Sequence, residues 1–204
     1  MKWASQRGVS LIELMVALAI LAILLVLGIP SFQQWILNTR IRTVSESIQN
    51  GLRLARNEAA QRANDVRFQL TSASSWQVCL LPASAASAAA ATDCSNATSI
   101  VQTWNSPSGA SNVQAGASTA VTSVAAGQFG STLISGGLPA GITFDALGRP
   151  ISYGNNSILR IDVTAAQTAL QATSRRLVTT ISAGGMVSMC DPLLQFSNNP
   201  MGCP

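Results

Sequence analysis

The chain has 204 residues, 48% hydrophobic and only 10% charged, which fits one membrane helix and one modest domain better than two domains. A formal charge of +4 with a pI near 9.3 does not by itself point to nucleic acid: Lys2 and Arg7 lie in a short leader, and a basic helix face accounts for several other arginines. With no histidine anywhere, a mixed Cys/His metal site is excluded.

The first element is the apolar run Gly8 to Pro30, long enough to cross a bilayer. It follows the basic stretch Met1 to Gly8 and carries a single carboxylate, Glu13. A charged group in hydrocarbon costs roughly 2.5–3.5 kcal/mol even on lenient insertion scales, so Glu13 reads as a group awaiting a partner. A secretory signal peptide or plain anchor is the alternative. Against it, the apolar run exceeds the ~7–15 residues of a signal h-region, and no A-x-A cleavage site follows it. Positive charge before the run places the rest of the chain outside the cytoplasm.

Beyond Pro30 the helical pattern continues. Leu37, Ile41, Val44, Ile48, Leu52, Ala55 and Ala59 recur at steps of three or four and form one apolar stripe. Arg40, Arg42, Arg53, Arg56 and Arg62 mostly fall off it, solvated or paired with Glu46 and Glu58. Pro30 deletes a backbone hydrogen bond, which predicts a kink or local opening there. The stripe predicts a helix laid against a sheet.

Strand signals follow. Val66–Leu70 and Trp76–Leu81 alternate around a Ser-rich turn, a hairpin pattern. Further predicted strands are Ile100–Trp104, Val121–Val124, Ile142–Phe144, Ile158–Val163, Leu177–Ser182 and Met186–Cys190. The Ala-, Ser- and Gly-rich stretches 82–99 and 106–118 lack periodicity and read as mobile surface loops, with a helical turn over 83–91 left open. Gly136, Gly137, Gly141, Gly184 and Gly185 read as turn glycines requiring positive φ, the last two at a hairpin tip.

Cys79, Cys94, Cys190 and Cys203 all lie beyond the apolar run. An even count in an exported domain predicts two disulfides, with three possible connectivities. Cys79 with Cys94 and Cys190 with Cys203 is favoured, because each pair closes a loop with little core of its own, worth about 3 kcal/mol in the chain-entropy model. A four-thiolate zinc site is the alternative, but C-x-x-C pairs are missing. No catalytic residue, cofactor-binding residue or metal ligand is predicted. The chain has no nucleophile elbow, no paired-carboxylate constellation and no dinucleotide or P-loop glycine pattern, and no small-molecule substrate is implied.

The basic leader, Gly8, the apolar run and Glu13 together resemble the N-terminal signal of type IV pilins and pseudopilins. The resemblance implies that a prepilin peptidase cleaves after Gly8 and N-methylates Val9, so that Glu13 becomes the fifth mature residue; the usual residue after the glycine is Phe, and this chain has Val9. Within the superfamily, Asn38 and Arg40, the run L-A-R-N-E-A at Leu54 to Ala59, the hairpin at Trp76, I-T-F-D-A-L-G-R-P at Ile142 to Pro150 and the closing stretch Arg175 to Pro192 resemble minor pilins of the FimT and FimU group and the related H-type pseudopilins. The implied fold is α+β, a long N-terminal helix packed on an antiparallel sheet domain. Its parts are a leader 1–8, a membrane and filament-core helix 9–30 and a periplasmic domain 31–204, the last divided into an amphipathic helix 31–64 and a β-rich part 65–204. Implied partners are other minor and major pilins, the prepilin peptidase and the inner-membrane assembly platform. The implied location is the bacterial inner membrane and the pilus.

The resemblance also frames the choice of function. Some FimT-like pilins bind DNA through a C-terminal G-R-x-R motif, and here the matching positions read Gly185, Met186, Val187, Ser188. Both arginines are absent, and phosphate contacts supply most non-specific affinity. Arg175 and Arg176, one strand earlier, are the residues left for a weak DNA contact. A structural, assembly-initiating minor pilin near the pilus tip is therefore the first reading. A DNA-binding minor pilin and a type II secretion pseudopilin are the alternatives.

Overall fold

The computed structural model describes residues 10–82, 93–106, 112–120, 140–154 and 157–203, the side chains at 27, 30 and 96 excepted. The chain divides into two compact units, 1–36 and 37–204. Helix α1, Leu11–Arg62, contributes to both, and its helical backbone runs without interruption through position 30.

In the first unit every described side chain from Leu11 to Trp35 is exposed, including Leu11, Ile12, Leu18, Ile23 and Ile29. This is a helix apolar around its circumference, a pattern suited to lipid or to other helices.

In the second unit the predicted stripe is buried in full. Leu37, Ile41, Val44, Ile48, Leu52, Ala55 and Ala59 all enter one core. Off the stripe, Arg42 pairs with Glu46 at 2.7 Å and Arg62 with Glu58 at 2.5 Å, both one helical turn apart. Gly51 on α1 admits two rings: a Cβ there would lie 2.9 Å from Phe68 and Trp76. Trp76 is stacked on Trp104 at 6.3 Å and tilted against Phe68 at 5.6 Å. The helix ends where Ala63 takes a left-handed φ of 49° and the Asn64 N–H donates to the Ala59 carbonyl, a terminus that glycine usually occupies.

The stripe faces two sheets. The first has strand order β3-β2-β1-β5, from β1 (Val66–Leu70), β2 (Trp76–Leu80), β3 (Ser99–Trp104) and β5 (Gly141–Phe144), all antiparallel. Val66, Phe68, Leu70, Val78, Ile142 and Phe144 join the core. Arg67, Gln69, Cys79 and Thr143 are buried as well. The segment around a 3-10 turn at Cys94–Asn96 lies against them: the Gln69 Oε1 accepts from the Cys94 N–H at 2.9 Å, and Cys79 is bonded to Cys94. Burial lowers the Arg67 guanidinium to about 10, with the Asp93 charge acting in the opposite direction.

The second sheet has order β4-β6-β7-β8-β9, from β4 (Val113–Ser118), β6 (Arg160–Ala165), β7 (Leu177–Ile181), β8 (Val187–Gln195) and β9 (Gly202–Cys203). It is antiparallel except for the β8–β9 pair. A four-residue helix α2, Thr168–Gln171, links β6 to β7. Ile161, Val163, Ala165, Leu177 and Ile181 complete the core.

Three sequence expectations are corrected. Strand β4 occupies a stretch expected to be loop: Val113, Ala115 and Ala117 alternate into the core, but alanines give too little hydrophobic contrast for the period to be seen. β8 runs past Cys190 and Pro192 to Gln195, near the sheet edge where a proline is tolerated. Gly141 and Gly184 have no left-handed φ; among the described glycines only Gly148, Gly154 and Gly185 do. Gly141 is needed for space, since a Cβ would lie 2.6 Å from the Phe68 carbonyl oxygen. The predicted strand 121–124, the helical turn at 83–91, Gly136 and Gly137 fall outside the described residues.

Candidate assembly segment and hairpin face

The N-terminal segment opens with a cap. Ser10 precedes the helix; its Oγ accepts from the Glu13 N–H at 3.3 Å, and its carbonyl accepts from the Glu13 and Leu14 N–H groups. Ser10 and Glu13 have the S-x-x-E spacing of a capping box, a signal that a reading centred on membrane charge overlooks. The carboxylate also sits where the helix dipole favours negative charge. From Leu14 to Thr39 there is no charged residue. The helix is long and apolar enough to cross a membrane. Gly8 and Val9, the predicted processing positions, lie outside the described residues.

The second candidate is the β7–β8 hairpin. Its tip is closed by the Ser182 N–H donating to the Met186 carbonyl, the Gly185 N–H to the Ser182 carbonyl and the Met186 N–H to the Ser182 Oγ. Gly185 has φ 74°, and a Cβ there would lie 2.3 Å from the Gly148 carbonyl oxygen. That oxygen accepts from the Arg56 Nε at 3.3 Å. The tip is thus held against α1 and the turn after β5. Met186 and Ser188 are exposed. Beside them, Tyr153, Ile181, Met186, Met189, Phe196 and Pro200 line a groove of about 470 Å³, and Cys190–Cys203 ties the returning tail to β8.

Arg175 and Arg176, the residues left for a weak DNA contact, both engage carboxylates. The Arg176 guanidinium reaches buried Asp162 at 2.6 Å, and Arg160 binds the same carboxylate at 2.8 Å. Arg175 pairs with Asp191 at 3.1 Å, and its backbone N–H donates to the Asn38 Oδ1 at 2.8 Å. Cross-strand register brings these charges together: Asp162 stands opposite Val178, and Val178 opposite Cys190. No group of three or more His, Cys, Asp or Glu residues suited to a metal occurs among the described residues.

Two family models match this chain. The prokaryotic N-terminal methylation motif covers residues 3–29, and the type II transport protein GspH covers residues 44–185. The chain belongs to the GspH family. Its members are minor pilins and pseudopilins, and the α+β pilin fold described above is theirs. Among solved structures, the type IV minor pilin FimU of Pseudomonas aeruginosa matches in two crystal forms. One has TM-score 0.46 at 13% identity, covering 81% of this chain and 96% of that one; the other has TM-score 0.44 at 12% identity, covering 80% and 99%. The minor pseudopilin EpsH of Vibrio cholerae matches with TM-score 0.43 at 11% identity, covering 75% and 98%. No curated protein matches.

Proposed function

We propose that this GspH-family subunit is a minor pilin of a type IV pilus, a non-catalytic subunit that helps initiate assembly near the tip. The observation that carries a building-block role is the first unit: an apolar helix exposed on all sides, with one capped carboxylate in its first turn. Such a surface requires lipid before assembly and neighbouring helices after it. A prepilin peptidase removes residues 1–8 after Gly8 and methylates Val9. In the filament, Glu13 pairs with the N-terminal amine of a neighbouring subunit, which satisfies a charge that would otherwise be buried alone. Residues 31–204 face the periplasm while the chain waits in the inner membrane.

A type II secretion pseudopilin is the second reading, supported by the match of residues 44–185 to the type II transport protein GspH. A DNA receptor has less support, because Arg175 and Arg176 both engage carboxylates and Met186 and Ser188 occupy the motif positions.

Processing, piliation, DNA uptake, protein secretion and DNA binding together separate these readings. Intact mass of the mature subunit should show loss of residues 1–8 and one added methyl; a retained leader sinks the assembly role. Deleting the protein should reduce surface pili, and any loss of DNA uptake should follow pilus number. Loss of protein secretion with normal piliation would select the pseudopilin. Normal piliation with lost uptake, together with tight DNA binding by residues 31–204 at ~0.15 M salt, would select the receptor.

A further inference from the structure

We propose that Phe32 and Trp35 form a lipid-interface anchor that sets the depth of the membrane-spanning segment and holds Glu13 at the opposite headgroup layer. The inference rests on the membrane-anchored reading above and adds a register to it. Phe32 and Trp35 are three residues apart on one helical face, stacked with ring centroids 5.9 Å apart. Both are largely exposed, at 60% and 63%. They follow directly on the apolar run, where Ser31, Gln33 and Gln34 introduce the first cluster of polar side chains. The Ser31 hydroxyl turns back to the Gly28 carbonyl at 3.3 Å.

Aromatic rings with one apolar and one wet side concentrate at the headgroup level of bilayers. Trp35, whose indole N–H gives an apolar ring one wet edge, meets that description at the boundary between an uncharged apolar helix and a polar stretch, and Phe32 adds apolar area by stacking on it. The first cation after the pair is Arg40.

The spacing gives the second half of the proposal. Glu13 and Trp35 are 22 residues apart in one helix, about 33 Å at 1.5 Å per residue. The hydrocarbon core is about 30 Å thick. With Trp35 at one interface, Glu13 falls at the other, among headgroups and water. The cost of a carboxylate at the bilayer centre therefore does not arise while the subunit waits in the membrane. It arises on assembly, when the segment leaves the lipid and an amine partner is at hand. The anchor keeps the carboxylate hydrated until then.

The test uses the full chain in phosphatidylethanolamine–phosphatidylglycerol vesicles containing lipids brominated either near the carbonyl or near the acyl terminus. The Trp35 signal is taken as the difference between the wild type and Trp35→Phe, which leaves Trp3, Trp76 and Trp104 in place. We expect that signal to be quenched roughly twofold more by the shallow bromines than by the deep ones. With Phe32 and Trp35 in place, Leu14→Trp sets a probe beside Glu13, read as the difference from the wild type, and it should show the same shallow preference; adding Phe32→Ala and Trp35→Ala should abolish that preference. Deep quenching of either probe overturns the register. A co-floating chain whose Trp35 is quenched by aqueous iodide and by neither lipid overturns the anchor but leaves membrane insertion intact. A chain that does not co-float with vesicles removes the membrane reading itself, and the anchor with it.

Discussion

The two halves of α1 show how one backbone conformation serves two environments. From Leu37 to Ala59 seven apolar residues form a single stripe, every member of which is buried against sheets supplied by the same chain, while Leu54 and Ala60 lie off it. From Leu11 to Trp35 they surround the helix, and every described side chain is exposed. The first arrangement is self-sufficient; the second is stable only with apolar surroundings from outside. A stripe therefore signals intramolecular packing, and a fully apolar circumference signals intermolecular or lipid packing.

The largest effect should come from the half that needs outside partners. Breaking a buried ion pair by removing one partner costs about 3–5 kcal/mol, so Glu13→Ala should lower incorporation into filaments ~100-fold or more, while cleavage and membrane insertion proceed. Immunoblots of sheared filaments against membrane fractions measure the ratio. Wild-type incorporation would mean that the carboxylate has no pairing role. In the other half, Leu52→Ala should cost about 2–5 kcal/mol in thermal unfolding of residues 31–204 and leave insertion of the full chain unchanged. If insertion suffers equally, the two halves are not energetically separate.

Smaller effects probe where the second half ends. Ala63 occupies a left-handed conformation at the helix terminus, so Ala63→Gly should raise stability by about 0.5–1 kcal/mol; a loss would mean the terminus is not set by that φ. The smallest effect concerns Asp65, whose carboxyl is raised above its ordinary value of 3.8 by burial and then by the charge of Asp145. A raised carboxyl binds its proton more tightly folded than unfolded. Its favourable contribution is therefore present at low pH and lost as pH rises through the folded value. Asp65→Asn should be slightly more stable than the wild type at pH 7, with the difference vanishing toward pH 3.8 and below. A denaturation series over pH 3–7 gives the sign, and a growing advantage at low pH would contradict the assignment.

Much of this could be read without coordinates, because it depends on local period. Helical spacing named all seven stripe residues, and twofold alternation placed β1, β2, β5, β6 and β7 to within a few residues. The short loops between Cys79 and Cys94 and between Cys190 and Cys203 favoured the pairs that the structure joins. Position 8 and the carboxylate at 13 are legible by motif alone, and the roles proposed for them, cleavage and pairing, depend on partners outside the chain.

What required the tertiary structure depends on distance across space. Strand β4 is built from Val113, Ala115 and Ala117 between Gln114, Gly116 and Ser118, and nothing in those small side chains announces a core strand until β6 pairs with it and the remaining core closes over it. Arg176 lies 14 residues from Asp162, and Arg175 lies 16 from Asp191; strand register makes each pair adjacent, and a one-residue slip would turn alternate side chains to the other face. Backbone geometry repeats along the chain and can be read from it, whereas the partner across a sheet is selected by the packing of the whole domain.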